Sequence, residues 1–283
     1  MTGVQTCALP ISNDRLLINS RPDFPPEPLA RRRPTFQFPK TLLQPAFRWL
    51  ARQKDQGRLH GIPLRKQIVI CGFPRSGTTL LQLLIESCIK DIGSFGKERR
   101  ALEIAACGPR THATILTKRP KDVFLIPEIA DWHQLNGSRV CFLLMHRDPR
   151  SVLTSKHFSA PSQYYLSCHD WLHFYQHWNW SRSRADVLPV SYEMLVSSPQ
   201  TIQARTCQFA ALDTASSFDD YLAHVPRDFD LRALNGLRPT ETSRINAWNS
   251  AEHSARLTQI HNELPQLAAI LADMGYSPDQ VAA

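Results

Sequence analysis

The stretch Gly72-Phe-Pro-Arg-Ser-Gly-Thr-Thr79 limits what this chain can fold into more than any other part of it. Before it lies Gln67–Cys71, a short β-branched apolar run that reads as a buried strand. After it, Leu80, Leu81, Leu84, Ile85 and Cys88 recur at helical spacing, so a helix is predicted over Gly77–Lys90. A glycine-bounded turn between a buried strand and a helix aims the backbone N–H groups around Ser76–Thr79 at one point. The helix dipole adds partial positive charge there. Arg75 adds a full charge, and Ser76, Gly77, Thr78 and Thr79 complete a turn suited to an anion. A plain strand–turn–helix does not require so many donors in one place.

The same alternation continues downstream. Thr114–Thr117, Arg139–Met145 and Val187–Val190 read as further strands. Helices are predicted over Val123–Gln134, from Pro149 to His157, over Tyr164–Arg184 and Pro199–Ala211, and over His253–Met274, which Gly275 stops. Strands alternating with helices predict an α/β fold, a parallel sheet flanked by helices with its ligand site at the carboxyl ends of the strands. Residues 1–40 differ: six prolines after residue 21 and the run Arg31-Arg-Arg33 describe a solvated arm. Residues 1–12 have no periodicity and are open to being an assembly scar. The expectation is one domain over 41–283.

Charge and cysteine usage narrow the function classes. Lys and Arg number 33 against 25 Asp and Glu, a net charge of +8, which favours anionic partners. Seven cysteines without metal-ligand spacing read as reduced thiols, Cys71 and Cys141 among them in strands, so no metal site is expected. The longest apolar run, Val140–Met145, is far short of the ~20 residues of a membrane span. No signal-like apolar core follows the N-terminus. These features predict a cytoplasmic chain without a membrane span, peripheral membrane contact being left open; the charge does not choose among anionic partners, and the expectation of no nucleic-acid partner rests on the motifs that follow.

The turn partly fits the ATP-binding pattern GxxxxGK[ST]: Gly72 and Gly77 match, but Thr78 stands where that pattern has its Lys. Phe73-Pro-Arg-Ser-Gly-Thr-Thr-Leu80 instead resembles the 5′-phosphosulfate loop of sulfotransferases that use 3′-phosphoadenosine 5′-phosphosulfate (PAPS). Its Pro-Arg form is similar to the protein-tyrosine and bacterial carbohydrate or lipid branches. A second segment, Val140–Ser155, resembles the family's 3′-phosphate motif, in which an Arg and a Ser eight residues later hold that phosphate. Arg147 and Ser155 stand at this spacing. His146-Arg-Asp148 also matches the start of a protein-kinase catalytic loop, but neither its Asn nor an Asp-Phe-Gly follows. Val190–Pro199 is similar to the family's Tyr-Glu-x-Leu-Val segment, which places Tyr192 near the adenine. Met274-Gly-Tyr-Ser-Pro278 resembles its C-terminal turn. The resemblance spans about residues 66–279. It implies a phosphate-loop, nucleoside-triphosphate-hydrolase-like sulfotransferase fold with PAPS as co-substrate.

The same resemblance implies catalytic roles. Arg75 is the first cation for the transferring group and Lys118, in Leu116-Thr-Lys-Arg-Pro120, the second; Arg119 stands where the family commonly has Asp. The base is sought in Gly93–Arg100, where Glu98 is first choice, Glu103 second, and His112 of Pro109-Arg-Thr-His112 third. A carboxylate among Lys97, Arg99 and Arg100 suits a group that accepts a proton. The acceptor is a small molecule, carbohydrate or lipid carrying a hydroxyl or amine. Trp171, Phe174, Tyr175 and Trp178 fall at helical spacing and read as core packing or as an aromatic wall for that acceptor. Ser243–Trp248 is a candidate for closing over the nucleotide. The competing readings are a phosphate-loop kinase and a nucleotide-binding relative without turnover.

Overall fold

The computed structural model describes residues 40–108, 110–157, 160–234 and 236–278. The arm expected over 1–40 therefore lies, apart from its last residue, outside the described chain.

In chain order the elements are α1 (Lys40–Asp55), β1 (Lys66–Gly72), α2 (Thr78–Cys88), β2 (Ile92–Gly93), α3 (Ala101–Cys107), β3 (Thr114–Lys118), α4 (Ile126–Leu135), β4 (Arg139–His146) and α5 (Pro149–Leu153). There follow β5 (Lys156–His157), β6 (Ala160–Tyr164), α6 (Cys168–Ser181), β7 (Val187–Ser191), α7 (Tyr192–Ser197), α8 (Pro199–Ala210), α9 (Ser254–Glu263) and α10 (Leu267–Asp273). Between α8 and α9 the chain runs through short 3-10 turns. The main sheet has the order β2-β3-β1-β4-β7, and every pairing in it is parallel. The α/β class follows directly.

Burial on both faces explains why the strands read as unbroken apolar runs. Ile68 and Ile70 of β1 join Leu143 of β4 under α2 and α8. Their neighbours Val69 and Cys71 join Phe142 and Leu144 under α4, α6 and α10. The α6 aromatics belong to this second layer. The Phe73 ring stacks on Trp171 with centroids 5.5 Å apart and meets Phe174 and Trp178 at 6.3 and 6.2 Å. Trp171, Phe174, Tyr175 and Trp178 are thus core beneath the turn after β1, not an acceptor wall.

Several element ends differ from expectation. The helix predicted over Val123–Gln134 is a 3-10 turn, Pro120–Leu125, followed by α4. The helix from Pro149 stops at Leu153, and Lys156–His157 pair antiparallel with β6 instead. Helix α6 starts only at Cys168, where the Ser167 hydroxyl accepts from the Asp170 N–H at 3.0 Å. The single C-terminal helix is two, α9 and α10, because Pro265 between them cannot continue a helix. Among the described residues no helix is long and apolar enough to cross a membrane. The six described cysteines are free.

Candidate active site

The chain leaves β1 towards β3 on one side and leaves β4 towards β7 on the other, so a switch point lies where β1 and β4 adjoin. The register sets the ends of these strands side by side, with Gly72 opposite Met145, Ile70 opposite Lys118 and His146 opposite Ser191. Arg75, Lys118, Arg147 and Tyr192 sit at or just after the carboxyl ends of four adjacent strands. All four line one cleft of about 490 Å³.

The first wall is the turn after β1. Gly72 has φ 128°, and a Cβ there would lie 2.1 Å from the Met145 carbonyl oxygen, so no other residue fits. Arg75 and Gly77 take left-handed conformations, φ 64° and 87°. Such residues in a tight turn rotate successive N–H groups to a common side. The Ser76 hydroxyl is buried and donates to the Phe73 carbonyl at 2.6 Å, so its side chain ties the turn internally and does not line the cleft. Thr78 and Thr79 do line it. Helix α2 opens here with no side-chain cap and no acid in its first turn, which leaves its leading N–H groups to an outside acceptor.

The second wall centres on Arg147. Its guanidinium carbon lies 4.1 Å from the Tyr192 ring centroid. Nη1 donates to the Arg75 carbonyl at 3.3 Å and Nη2 to the Arg244 carbonyl at 2.8 Å. Nε is buried without a partner among the described residues. The arginine therefore touches the turn after β1 directly. Burial lowers its pKa from the ordinary arginine value. Ser155 is not in the cleft; its hydroxyl donates back to the Ser151 carbonyl at 2.7 Å. Its backbone carbonyl accepts from Tyr165 N–H at 2.8 Å, and the Tyr165 ring lines the cleft 5.9 Å from the Arg75 guanidinium carbon.

A polar network behind Arg147 fixes both neighbours in the chain. Glu193 accepts from the Asp148 N–H at 3.0 Å and from the Ser191 and Tyr276 hydroxyls at 2.8 and 2.9 Å. The Tyr276 proton being committed to Glu193, its oxygen accepts from His146 Nδ1 at 3.1 Å. Burial, then the cations of Arg182 and Arg205, push the His146 pKa down to about 4, so this imidazole stays neutral.

The third wall carries an ion pair. Lys118 Nζ lies 3.6 Å from Glu98 Oε2, and Arg119 Nε lies 4.0 Å from Oε1. Lys118 is nearly enclosed (7% side-chain exposure) whereas Glu98 is open (53%). Burial lowers the Lys118 pKa, and Glu98 partly counters it. The Glu98 loop is pinned by Arg99 N–H to the Lys118 carbonyl at 3.1 Å and by Asp230 N–H to the Gly96 carbonyl at 2.9 Å. Below it, the Asp122 carboxylate accepts from the Ala101 N–H at 3.0 Å and pairs with Arg119 at 3.3 Å; burial pushes its pKa up to about 6. Glu103 and His112 do not line the cleft. Glu103 is exposed on the first turn of α3, and His112 Nδ1 lies 3.0 Å from the Thr111 hydroxyl.

The sequence reading missed the fourth wall. Tyr221, Asp230, Arg232, Leu237 and Arg238 come from the 3-10 region between α8 and α9. That region has no helical or strand period; its only sequence signal is arginines spaced among turn residues. Of the segment considered as a cover, Arg244 lines the cleft, while Trp248 is buried with the Arg150 guanidinium carbon 3.9 Å from its ring centroid.

The fold and cleft define a parallel α/β protein with a glycine-bounded turn and a cleft at the switch point of its sheet. No family model matches the sequence, and no curated protein matches it. Among solved structures, the sulfotransferase domain from the Synechococcus PCC 7002 olefin synthase is similar at TM-score 0.48 and 14% identity, over 73% of this chain and 96% of that one. The sulfotransferase domain from the curacin biosynthetic pathway is similar at TM-score 0.46 and 14% identity, over 71% and 98%. Likeness at this level assigns no residue a role.

Proposed function

We propose that the protein is a sulfotransferase that moves a sulfuryl group from 3′-phosphoadenosine 5′-phosphosulfate to a hydroxyl or amine of a small-molecule, carbohydrate or lipid acceptor. One observation carries the reading: the Arg147 guanidinium, stacked on Tyr192, is hydrogen-bonded to the turn that presents the uncapped start of α2. One cleft thus offers two anion-holding groups, one made of backbone amides and one of a planar cation. A nucleotide phosphorylated at both ends of its ribose asks for that pair. Thr78 in place of the loop lysine argues against a kinase, which needs that cation on the β/γ-phosphates.

The residues fit such a co-substrate. The buried Arg147 Nε has no partner among the described residues, and the cleft volume lies in the range of small-molecule sites. When bound, the co-substrate supplies an activated sulfuryl group. The backbone of Ser76–Thr79 holds the 5′ side, with Arg75 and Lys118 compensating charge that builds on the leaving phosphate. Arg147 holds the 3′-phosphate and Tyr192 flanks the adenine. Ser155, assigned to the same phosphate by the family motif, must first release its hydroxyl from the Ser151 carbonyl. Glu98, open to the cleft and paired with Lys118, takes the acceptor's proton.

The test compares thermal shifts by 3′,5′-adenosine bisphosphate and by ATP with magnesium, then follows labelled sulfate from donor to phenols, sugars and glycolipids. Stabilisation by the bisphosphate and label in an acceptor are the expected results. Stabilisation by ATP with magnesium alone overturns the reading. Bisphosphate binding without transfer to any acceptor leaves a nucleotide-binding relative.

A further inference from the structure

Helix α1 is amphipathic in the reverse of the usual sense. On an ideal helix Ala46, Phe47, Trp49 and Leu50 share an arc of about 160°, with Arg48, Arg52 and Asp55 on the opposite side. A surface helix normally turns its apolar arc to the core. Here Arg48, Arg52 and Asp55 line a cavity of about 380 Å³ against α3 and α4, with Leu102 and Trp132. The apolar arc faces outward: Trp49 is 58% exposed and Phe47 51%, and Leu50, Leu59 and Ile62 are exposed too. Single exposed apolar residues are ordinary, but two large aromatics and a leucine on one helix face are not.

The charge around this face selects what covers it. Residues 40–58 carry five Lys and Arg against one acid, Asp55, a net +4. That one carboxylate is already engaged, accepting from Leu64 N–H at 2.8 Å and pairing with Arg110 at 3.3 Å. A second copy of the chain would bring its own +4 against this one. An anionic lipid surface satisfies both halves of the pattern, because acyl chains receive Trp49, Phe47 and Leu50 while headgroups receive Lys54, which falls within the same arc, and the exposed Arg58 beside Leu59. We infer that the protein binds anionic bilayers peripherally through α1, which lies along the interface with its aromatic face inserted. This inference does not depend on the chemistry proposed for the cleft.

The test mixes the full chain with vesicles of phosphatidylcholine, alone or with phosphatidylglycerol, and sediments them. Binding to the mixed vesicles only, weakening as salt rises, is expected. Trp49→Glu, or Phe47→Glu with Leu50→Glu, should abolish sedimentation at unchanged melting temperature. Replacing Lys54 and Arg58 by Gln should weaken it about fivefold per residue. No sedimentation with either vesicle overturns the inference. So does binding that survives Trp49→Glu, and so does a wild-type dimer by light scattering that the same variant dissolves. If a variant loses its fold, quenching of tryptophan fluorescence by lipid-borne bromine on the wild type decides: no quenching overturns the inference.

Discussion

Arg147 is the residue on which the donor reading turns. A planar guanidinium half-buried against Tyr192, with two N–H groups already on carbonyls, is preset to take a phosphate without reorganising. Arg147→Ala should weaken 3′,5′-adenosine bisphosphate binding about thirtyfold or more, the ordinary cost of truncating one side of a buried charged contact. Isothermal titration measures it, and wild-type affinity in the variant would remove the residue from the phosphate. Glu98 makes the opposite prediction. Open and held only by an ion pair, it should leave nucleotide affinity nearly intact when changed to Ala, while turnover falls about 10²–10⁴-fold. Turnover near wild type would return the choice of base to Glu103 or His112, neither of which lines the cleft.

Among elements, the turn between β1 and α2 is the most tightly specified. A Cβ at residue 77 would lie 2.6 Å from Tyr192 Cδ2 on a backbone with φ 87°. Gly77→Ala should therefore cost on the order of 1–3 kcal/mol and push Tyr192 out from beneath Arg147. Chemical denaturation and nucleotide titration would both register the change; a variant as stable as wild type would show that the turn tolerates a side chain. This element was legible because a β-branched run, a glycine turn and a leucine-spaced helix each carry a strong local period. The four strands flanking the cleft were legible for the same reason. Helix α1 was not, since its apolar face points outward and Pro45 interrupts it. Nor was the region between α8 and α9: 3-10 turns repeat too briefly to leave a pattern, although they supply a whole wall of the cleft. Ser155 shows a further limit, because spacing to Arg147 could not reveal that its hydroxyl bonds back to its own helix.

At the scale of the whole molecule, acid stability is set by buried imidazoles. Besides His146, His133 is buried; its Nε2 bonds to Gln67 Oε1 at 2.8 Å and its Nδ1 to the Ser138 hydroxyl at 2.7 Å. Burial, then Arg110, push its pKa down to about 4. Unfolded imidazoles take up protons near 6.5, so between about 6.5 and about 4 the unfolded chain binds more protons and acidification destabilises the fold. Asp122 works the other way. Its folded pKa of about 6 exceeds the ordinary 3.8, so its contribution is lost as pH rises through that range. Burial also lowers the pKa of His173 and His253 and raises that of Glu86, so four imidazoles outweigh two carboxyls, and the melting temperature should fall on acidification from about 6.5 towards 4. His133→Gln should flatten that fall. A melting temperature that climbs through this range, or an unchanged slope in the variant, would contradict the assignment.

The bond from the Tyr276 hydroxyl to Glu193 reaches across 83 residues of chain. A ribosome releases the glycine turn and the guanidinium long before it releases this phenol. Until the last helix docks, Glu193 orients the backbone beside Arg147 with one of its three donors missing. The pocket thus matures only after α10 has docked, and its tightness reports that this helix has closed on the sheet.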